Sequence, residues 1–198
     1  MPAFRISVDD DVMATVNTEG YDMITMHVSG NRTWESRAVV DVAAGRYPPG
    51  APSSYLIFVP EMQLVVGQRV TIALLEDGVT GPSGKTIDEV YPDLPAVPGT
   101  GGFTITDERI AEIAALPVWH DRYAFDYTSS DGTSLSFQTP PEDDSFSLTL
   151  LWDSMGGANP ARVSVTSNNI ENIQARKFGH QHVEQRLEVG GWVSLTLR

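Results

Sequence analysis

The sequence predicts a mainly β fold: two tandem, homologous antiparallel units of sandwich or barrel type, with one short helix between them. Three observations carry this expectation. Apolar and polar residues alternate with period two, turn residues stand where hairpins need them, and segments recur in the same order at a nearly constant spacing.

The first unit is expected over residues 1–77. Phe4, Ile6 and Val8 alternate with Arg5 and Ser7, and Val12, Ala14 and Val16 with Met13, Thr15 and Asn17, as in strands with one buried and one wet face. Between these two runs stands Asp9-Asp10-Asp11, a suitable hairpin turn. The unit closes on Leu64-Val65-Val66-Gly67-Gln68-Arg69-Val70-Thr71-Ile72-Ala73-Leu74, where Gly67 offers the positive φ of a turn or bulge before the last strand.

Residues 78–120 are expected to be a linker plus helix. Ten of the twenty-five residues from 78 to 102 are Gly or Pro, a density of breakers that predicts no regular element. A helix follows over about 106–116. Thr106 is its N-cap, Asp107 and Glu108 suit the positive first turn, and Pro117 stands just past the end. Ile110, Ile113 and Ala114 form an apolar face expected to plug a sheet or the gap between units.

The second unit is expected over 121–198. Leu187-Glu188-Val189-Gly190-Gly191-Trp192-Val193-Ser194-Leu195-Thr196-Leu197 repeats the closing strand 123 positions on (187 − 64), with five of eleven residues identical. Phe125-Asp126-Tyr127-Thr128-Ser129 lies 121 after Phe4-Arg5-Ile6-Ser7-Val8, and Phe146-Ser147-Leu148-Thr149 lies 125 after Tyr21-Asp22-Met23-Ile24. Val163 and Val165 alternate with polar neighbours, and Asp131-Gly132 supplies a hairpin turn. Phe-x-Ile-x-Val, a hairpin and a terminal Leu-x-Val-Gly-x-x-Val-x-Ile strand resemble small acidic β proteins of bacteria. Gln68 and Gly191 depart from the acidic residue expected after the glycine, and the resemblance implies no function.

Composition narrows the function classes. The 198 residues carry 13 Lys and Arg against 26 Asp and Glu, a net charge of −13 that argues against a phosphate-tracking nucleic-acid binder. Acidity is spread along the chain: 10 acids against 5 bases in residues 1–77, 6 against 2 in 78–120, and 10 against 6 in 121–198. The absence of cysteine removes disulfides, thiol catalysis and cysteine-based metal sites. No run approaches the roughly 18 apolar residues of a membrane helix. The first residues hold neither a basic leader nor an apolar stretch, so a cytoplasmic chain is expected.

Few residues suggest chemistry. His180-Gln181-His182-Val183-Glu184 would place both imidazoles and the carboxylate on one face of a strand, with His120 or His27 as a further ligand brought in by the fold. A spacing of 123 sets His180 against Ile57, His182 against Val59 and Glu184 against Glu61, so the plainer reading is a strand that turned polar on exposure. Trp192 falls on the polar side of the last strand, where the first unit has Arg69, and suits an interface anchor or a sugar-stacking platform. Trp34, Trp119 and Trp152 read as packing residues. Asp9-Asp10-Asp11 and Glu142-Asp143-Asp144 read as hairpin turns rather than calcium loops, and Gly81-Pro82-Ser83-Gly84-Lys85 lacks the spacing of a phosphate loop. No catalytic, cofactor or metal signature is legible. The expectation is a non-catalytic binding or inhibitory protein, of the kind that neutralises a basic partner such as a bacterial toxin, acting as monomer or homodimer. Trp192, His180, His182 and Glu184 are its candidate contact residues. The alternatives are a metal-dependent enzyme or binder on the histidine strand, and a carbohydrate-binding or assembly module.

Overall fold

The computed structural model describes residues 1–93, 106–154 and 161–198. It is mainly β, as the alternation predicts, and its strands form two six-stranded antiparallel sheets. The chain runs β1 (Ala3–Val8), β2 (Asp11–Asn17), β3 (Met23–Asn31), β4 (Ala38–Arg46), β5 (Ser54–Leu64) and β6 (Arg69–Leu75). After α1 (Ile87–Val90) and α2 (Asp107–Ala114) come β7 (Ala124–Ser129), β8 (Ser134–Gln138), β9 (Ser145–Asp153), β10 (Ala161–Asn168), α3 (Ile170–Gln174), β11 (His180–Leu187) and β12 (Trp192–Leu197).

One sheet has the order β2-β1-β6-β12-β7-β8 and the other β11-β10-β9-β3-β4-β5. Each order reads the same from either end once the first six strands are matched with the last six. The halves therefore meet at β6/β12 and β3/β9, the central pairs of the two sheets. Neither sheet closes on itself, so the architecture is a sandwich and not a barrel.

Register shows how closely the halves correspond. Phe4 stands opposite Leu74, and Phe125 stands opposite Leu197, so the spacings of 121 and 123 preserve the pairing of first and last strands. At the junction, Thr71 pairs with Ser194, its own counterpart, and the two hydroxyls lie 3.2 Å apart. The spacing of 125 does not survive. Sheet side chains alternate faces with period two, so an odd error exchanges inside for outside. Ile24, Met26 and Val28 are the buried residues of β3, Phe146, Leu148 and Leu150 those of β9, and matching them requires 122. His27 and Thr149 then pair across this second junction, with His27 Nδ1 3.3 Å from the threonine hydroxyl.

The core lies between the sheets. Phe4, Ile6, Val70 and Ile72 of the first half, and Phe125, Tyr127, Val193 and Leu195 of the second, join Ile24, Val40, Leu148 and Val163 of the facing sheet in one apolar cluster. Aromatic side chains concentrate in the second half, where the Phe146 ring lies 4.3 Å from Phe125 and 4.6 Å from Tyr123.

The turns follow local chemistry. Asp9 and Asp10 take positive φ in the first hairpin, as short polar side chains tolerate, and Gly67, Gly132 and Gly190 do so at their turns. The breaker-rich stretch departs from expectation. Gly81 and Lys85 form isolated β-bridges with Thr15 and Ile57, and Thr86 caps α1 through a reciprocal bond with Glu89. These residues are a strap across the side of the first half. The remainder of the expected linker, 94–105, lies outside the described residues.

Candidate functional site

The described residues gather Ser, His and Asp side chains in one place, between β10, β11 and the turn after β8. The cause is a bulge. Val165 of β10 stands opposite Val183 and Thr166 opposite Gln181, which leaves His182 as an extra residue on β11. Beyond that point the faces of the strand exchange. His180 and His182 both turn toward buried Ser167 and Asp143, while Glu184 remains on the outer face and accepts from the Gln181 amide at 2.6 Å. The expected His180/His182/Glu184 face is thus divided: the histidines meet each other's partners and the glutamate does not.

The hydrogen bonds fix how the set works. The Ser167 hydroxyl donates to Asp143 Oδ2 in a short contact, and His180 Nδ1 lies 2.9 Å from the same oxygen. His182 Nε2 lies 2.8 Å from Ser167 Oγ. A hydroxyl has one proton to give, so with that proton on Asp143 the imidazole must donate to the serine. A serine nucleophile needs the opposite polarity, with imidazole accepting the hydroxyl proton and the oxygen open to substrate. Here Ser167 is 1% exposed and Asp143 1%. The arrangement pins the turn carrying Asp143 to two strands, and its chemistry is that of a clamp.

Electrostatics agree with that role. His182 is half-buried, its ring stacked on Phe137 with centroids 4.7 Å apart and planes inclined by 12°. Burial holds its pKa below the ordinary imidazole value; Asp143 pulls it upward and His180 downward by smaller amounts. The second oxygen of Asp143, Oδ1, is buried without a hydrogen-bond partner among the described residues.

The further histidines stand elsewhere: His27 bonds Thr149, and His120 Nε2 lies 3.3 Å from the Ser36 carbonyl. Among the described residues, no three His, Asp or Glu side chains are gathered so as to hold a metal ion. Asp143, read from sequence as a hairpin-turn residue, is buried. Ser167 gave no sequence signal, because its role depends on the fold bringing residue 143 beside residues 180 and 182.

Trp192 opens β12 on the outer face of its sheet, opposite Ala73, and is 39% exposed; Ser130 accepts its backbone N–H at 3.0 Å. The helix α2, expected to plug a sheet or the gap between the units, buries none of its residues. Its Ile113 and Ala114 instead face Ile170 and Ile173 of α3, with Leu116 and Val118, around a cavity of about 230 Å³. Gln174 donates to Asp107 at 2.6 Å and ties the two helices together. Arg32 and Asp144, 3.7 Å apart, also line this groove.

The helices that wall the groove carry four exposed acids, Asp107, Glu108, Glu112 and Glu171, against one base, Arg109, which is paired with Glu112 at 2.7 Å. Exposed apolar side chains continue nearby in sequence, with Trp119 at 54% and Phe178 fully exposed. Among the described residues no helix is long and apolar enough to cross a membrane. No family model, curated protein or solved structure matches the chain.

Proposed function

We propose that this is a non-catalytic binding protein that engages a basic protein partner, with the groove between α2 and α3 taking an apolar anchor of that partner. The observation that carries the reading is the groove itself: an apolar floor of Ile113, Leu116, Val118, Ile170 and Ile173 between helices bearing acidic side chains. A cavity of about 230 Å³ suits one or two apolar side chains rather than a whole small-molecule ligand, for which roughly 300–1,000 Å³ is usual. The net charge of −13 would steer a basic partner toward contact from a distance, and apolar anchors would hold it. The sealed Ser167 supports binding over hydrolysis.

The test is titration with an amphipathic helical peptide of about fourteen Leu and Lys residues, followed by tryptophan emission. Binding should weaken about tenfold in Ile173→Asp and weaken in 0.5 M salt, and the Leu/Glu analogue should not bind. Equal affinity for both peptides, or for wild type and variant, overturns the reading. Exposure of Trp192 supports a second reading, sugar stacking, whose test is saccharide quenching of emission that Trp192→Ala abolishes.

A further inference from the structure

Each half of the sandwich has an outer side where the edge strand of one sheet faces the edge strand of the other: β2 and β5 in the first half, β8 and β11 in the second. In the first half this side is occupied. Gly81 exchanges two backbone bonds with Thr15, at 2.8 and 2.9 Å, and four residues later Lys85 exchanges two with Ile57, at 2.7 and 2.9 Å. Thr80 Oγ1 adds a bond from Asn17 N at 3.1 Å. One stretch of five residues, turned at a cis Gly81–Pro82 peptide, therefore spans from sheet to sheet.

The second half repeats both landing points and, among the described residues, lacks the strap. Thr15 stands opposite Arg5 in its hairpin, as Ser136 stands opposite Asp126. Ile57 stands opposite Ala43, as Gln181 stands opposite Thr166. Even the bulge is shared: Phe58 is the extra residue after Ile57, and His182 the extra residue after Gln181. In both hairpins the matched register turns the backbone N–H and C=O of the landing residue away from its partner strand. Among the described residues the isolated bridges are those at Gly81 and Lys85, and none falls on β8 or β11. The Phe137–His182 stack brings the two edges of the second half together. Leu135 on β8 is 43% exposed beside them.

We propose that β8 and β11 form an open docking edge for a short, glycine-bearing segment of a partner protein, paired at single residues to Ser136 and Gln181 as residues 81–85 pair to Thr15 and Ile57. The chain's own strap indicates the occupant. At Gly84 a Cβ would come within 2.9 Å of Leu56 Cβ and Phe58 Cζ, so the strap needs glycine where it passes over β5. The residues at the matching positions of β11 are His180 and His182, also large, and impose the same requirement. Exposed strand edges are templates for added strands, and a pair of edges already shaped for one segment selects for its length and slimness. The inference rests on the match between halves and does not depend on the partner's charge.

The probe is the capped peptide of residues 79–86, added in millimolar excess to the whole protein, with amide exchange read residue by residue. Exchange at Ser136 and Gln181 should slow about fivefold or more, with Thr15 unchanged, and 0.5 M salt should leave the effect within about twofold because backbone pairing is not an ion-pair contact. A peptide carrying Gly84→Leu should give no protection. Ser136→Pro removes the outward N–H at an edge position where proline is tolerated, and should abolish protection at Gln181; Gln181→Pro is the reciprocal variant should the first fail to fold. Unprotected amides at saturating peptide, protection by the leucine peptide, or protection surviving both proline variants overturns the proposal. Failure of the Leu/Lys peptide at the groove does not bear on it.

Discussion

In the first half the gap between β2 and β5 is crossed by backbone, with Gly81 and Lys85 each exchanging two hydrogen bonds with a strand edge. In the second half, among the described residues, the two edges are joined by side chains alone and their outward backbone stays exposed: the Phe137–His182 stack links them, with the Asp143–Ser167–His180 bonds behind it. The position of Phe58, packed edge-on against Tyr21 at 5.9 Å, corresponds to that of His182. A covered side can use an apolar residue there. An open side needs one that tolerates water, and histidine stacks on Phe137 while keeping a polar rim. The difference teaches that one backbone scaffold supports a closed edge and an open edge, and that the choice is made by few residues.

The largest effect that would separate the halves lies in their cores. The second half rests on clustered rings, Phe125 contacting Phe137 at 5.3 Å and Phe146 at 4.3 Å, whereas β6 and β2 of the first half contribute aliphatic residues. Phe125→Ala should cost about 3–5 kcal/mol in urea unfolding, through lost burial and a cavity that rigid strands cannot collapse. Val70→Ala, which trims an aliphatic side chain from the core of the first half, should cost less than half as much. Equal losses would show that the rings are not the principal packing of the second half.

Next in size is the clamp. Asp143→Ala leaves the Ser167 hydroxyl and His180 Nδ1 without their shared acceptor, and should cost about 2–3 kcal/mol. The loss should appear as faster amide exchange in β11 and β8 before it reaches β1 or β6, because the contact is confined to one side of the sandwich. Unfolding of both halves in step would mean that the clamp serves the whole fold and not that side alone.

These residues also mark where sequence reasoning succeeds and where it stops. The alternation of Phe4, Ile6 and Val8, and the spacings of 121 and 123, were legible because a strand's inward positions repeat every second residue and the paired strands of both halves share one register. The 125 spacing misled because strings such as Tyr-x-Met and Phe-x-Leu match equally well three residues, an odd number, out of step, and only burial reveals the face. Glu184 was grouped with the histidines because a bulge is a property of two strands in register, which a single strand's sequence does not carry. Asp143 looked like a turn residue because Asp favours turns whether or not the fold later covers it. One missed signal was available: Thr86-Ile87-Asp88-Glu89 has the spacing of a capping box, and it marked an ordered element inside the supposed linker.

A smaller effect distinguishes the two sides by pH. The folded-state pKa of His182 lies below its unfolded value, mainly because its charged form is poorly solvated in the fold. A depressed histidine contributes stability that is fully present above the unfolded value, near 6.5, and is lost as pH falls through the lowered folded value. Between pH 7.5 and pH 5, protection of the β11 amides relative to their intrinsic exchange rates should therefore fall more than that of the β5 amides. His182→Phe, which installs the residue found at the matching place in the first half, should remove the difference. Persistence of the acid effect in that variant would place the titrating group elsewhere.

The smallest expected effect is a gain. Tyr127 of β7 is fully buried, its hydroxyl has no hydrogen-bond partner among the described residues, and burial drives its pKa well above the ordinary phenol value, with Asp131 adding to the rise. The matching residue of the first half is Ile6, which buries its bulk without a polar atom. A hydroxyl stripped of water and left unbonded costs roughly 1–3 kcal/mol, of which removal recovers part, so Tyr127→Phe should stabilise the protein by about 1 kcal/mol. The sign is the informative outcome. Stabilisation shows that the second half tolerates an unpaired group for the sake of the ring that fills its core; destabilisation shows that the hydroxyl is solvated, and that water enters the sandwich from the side the strap does not cover.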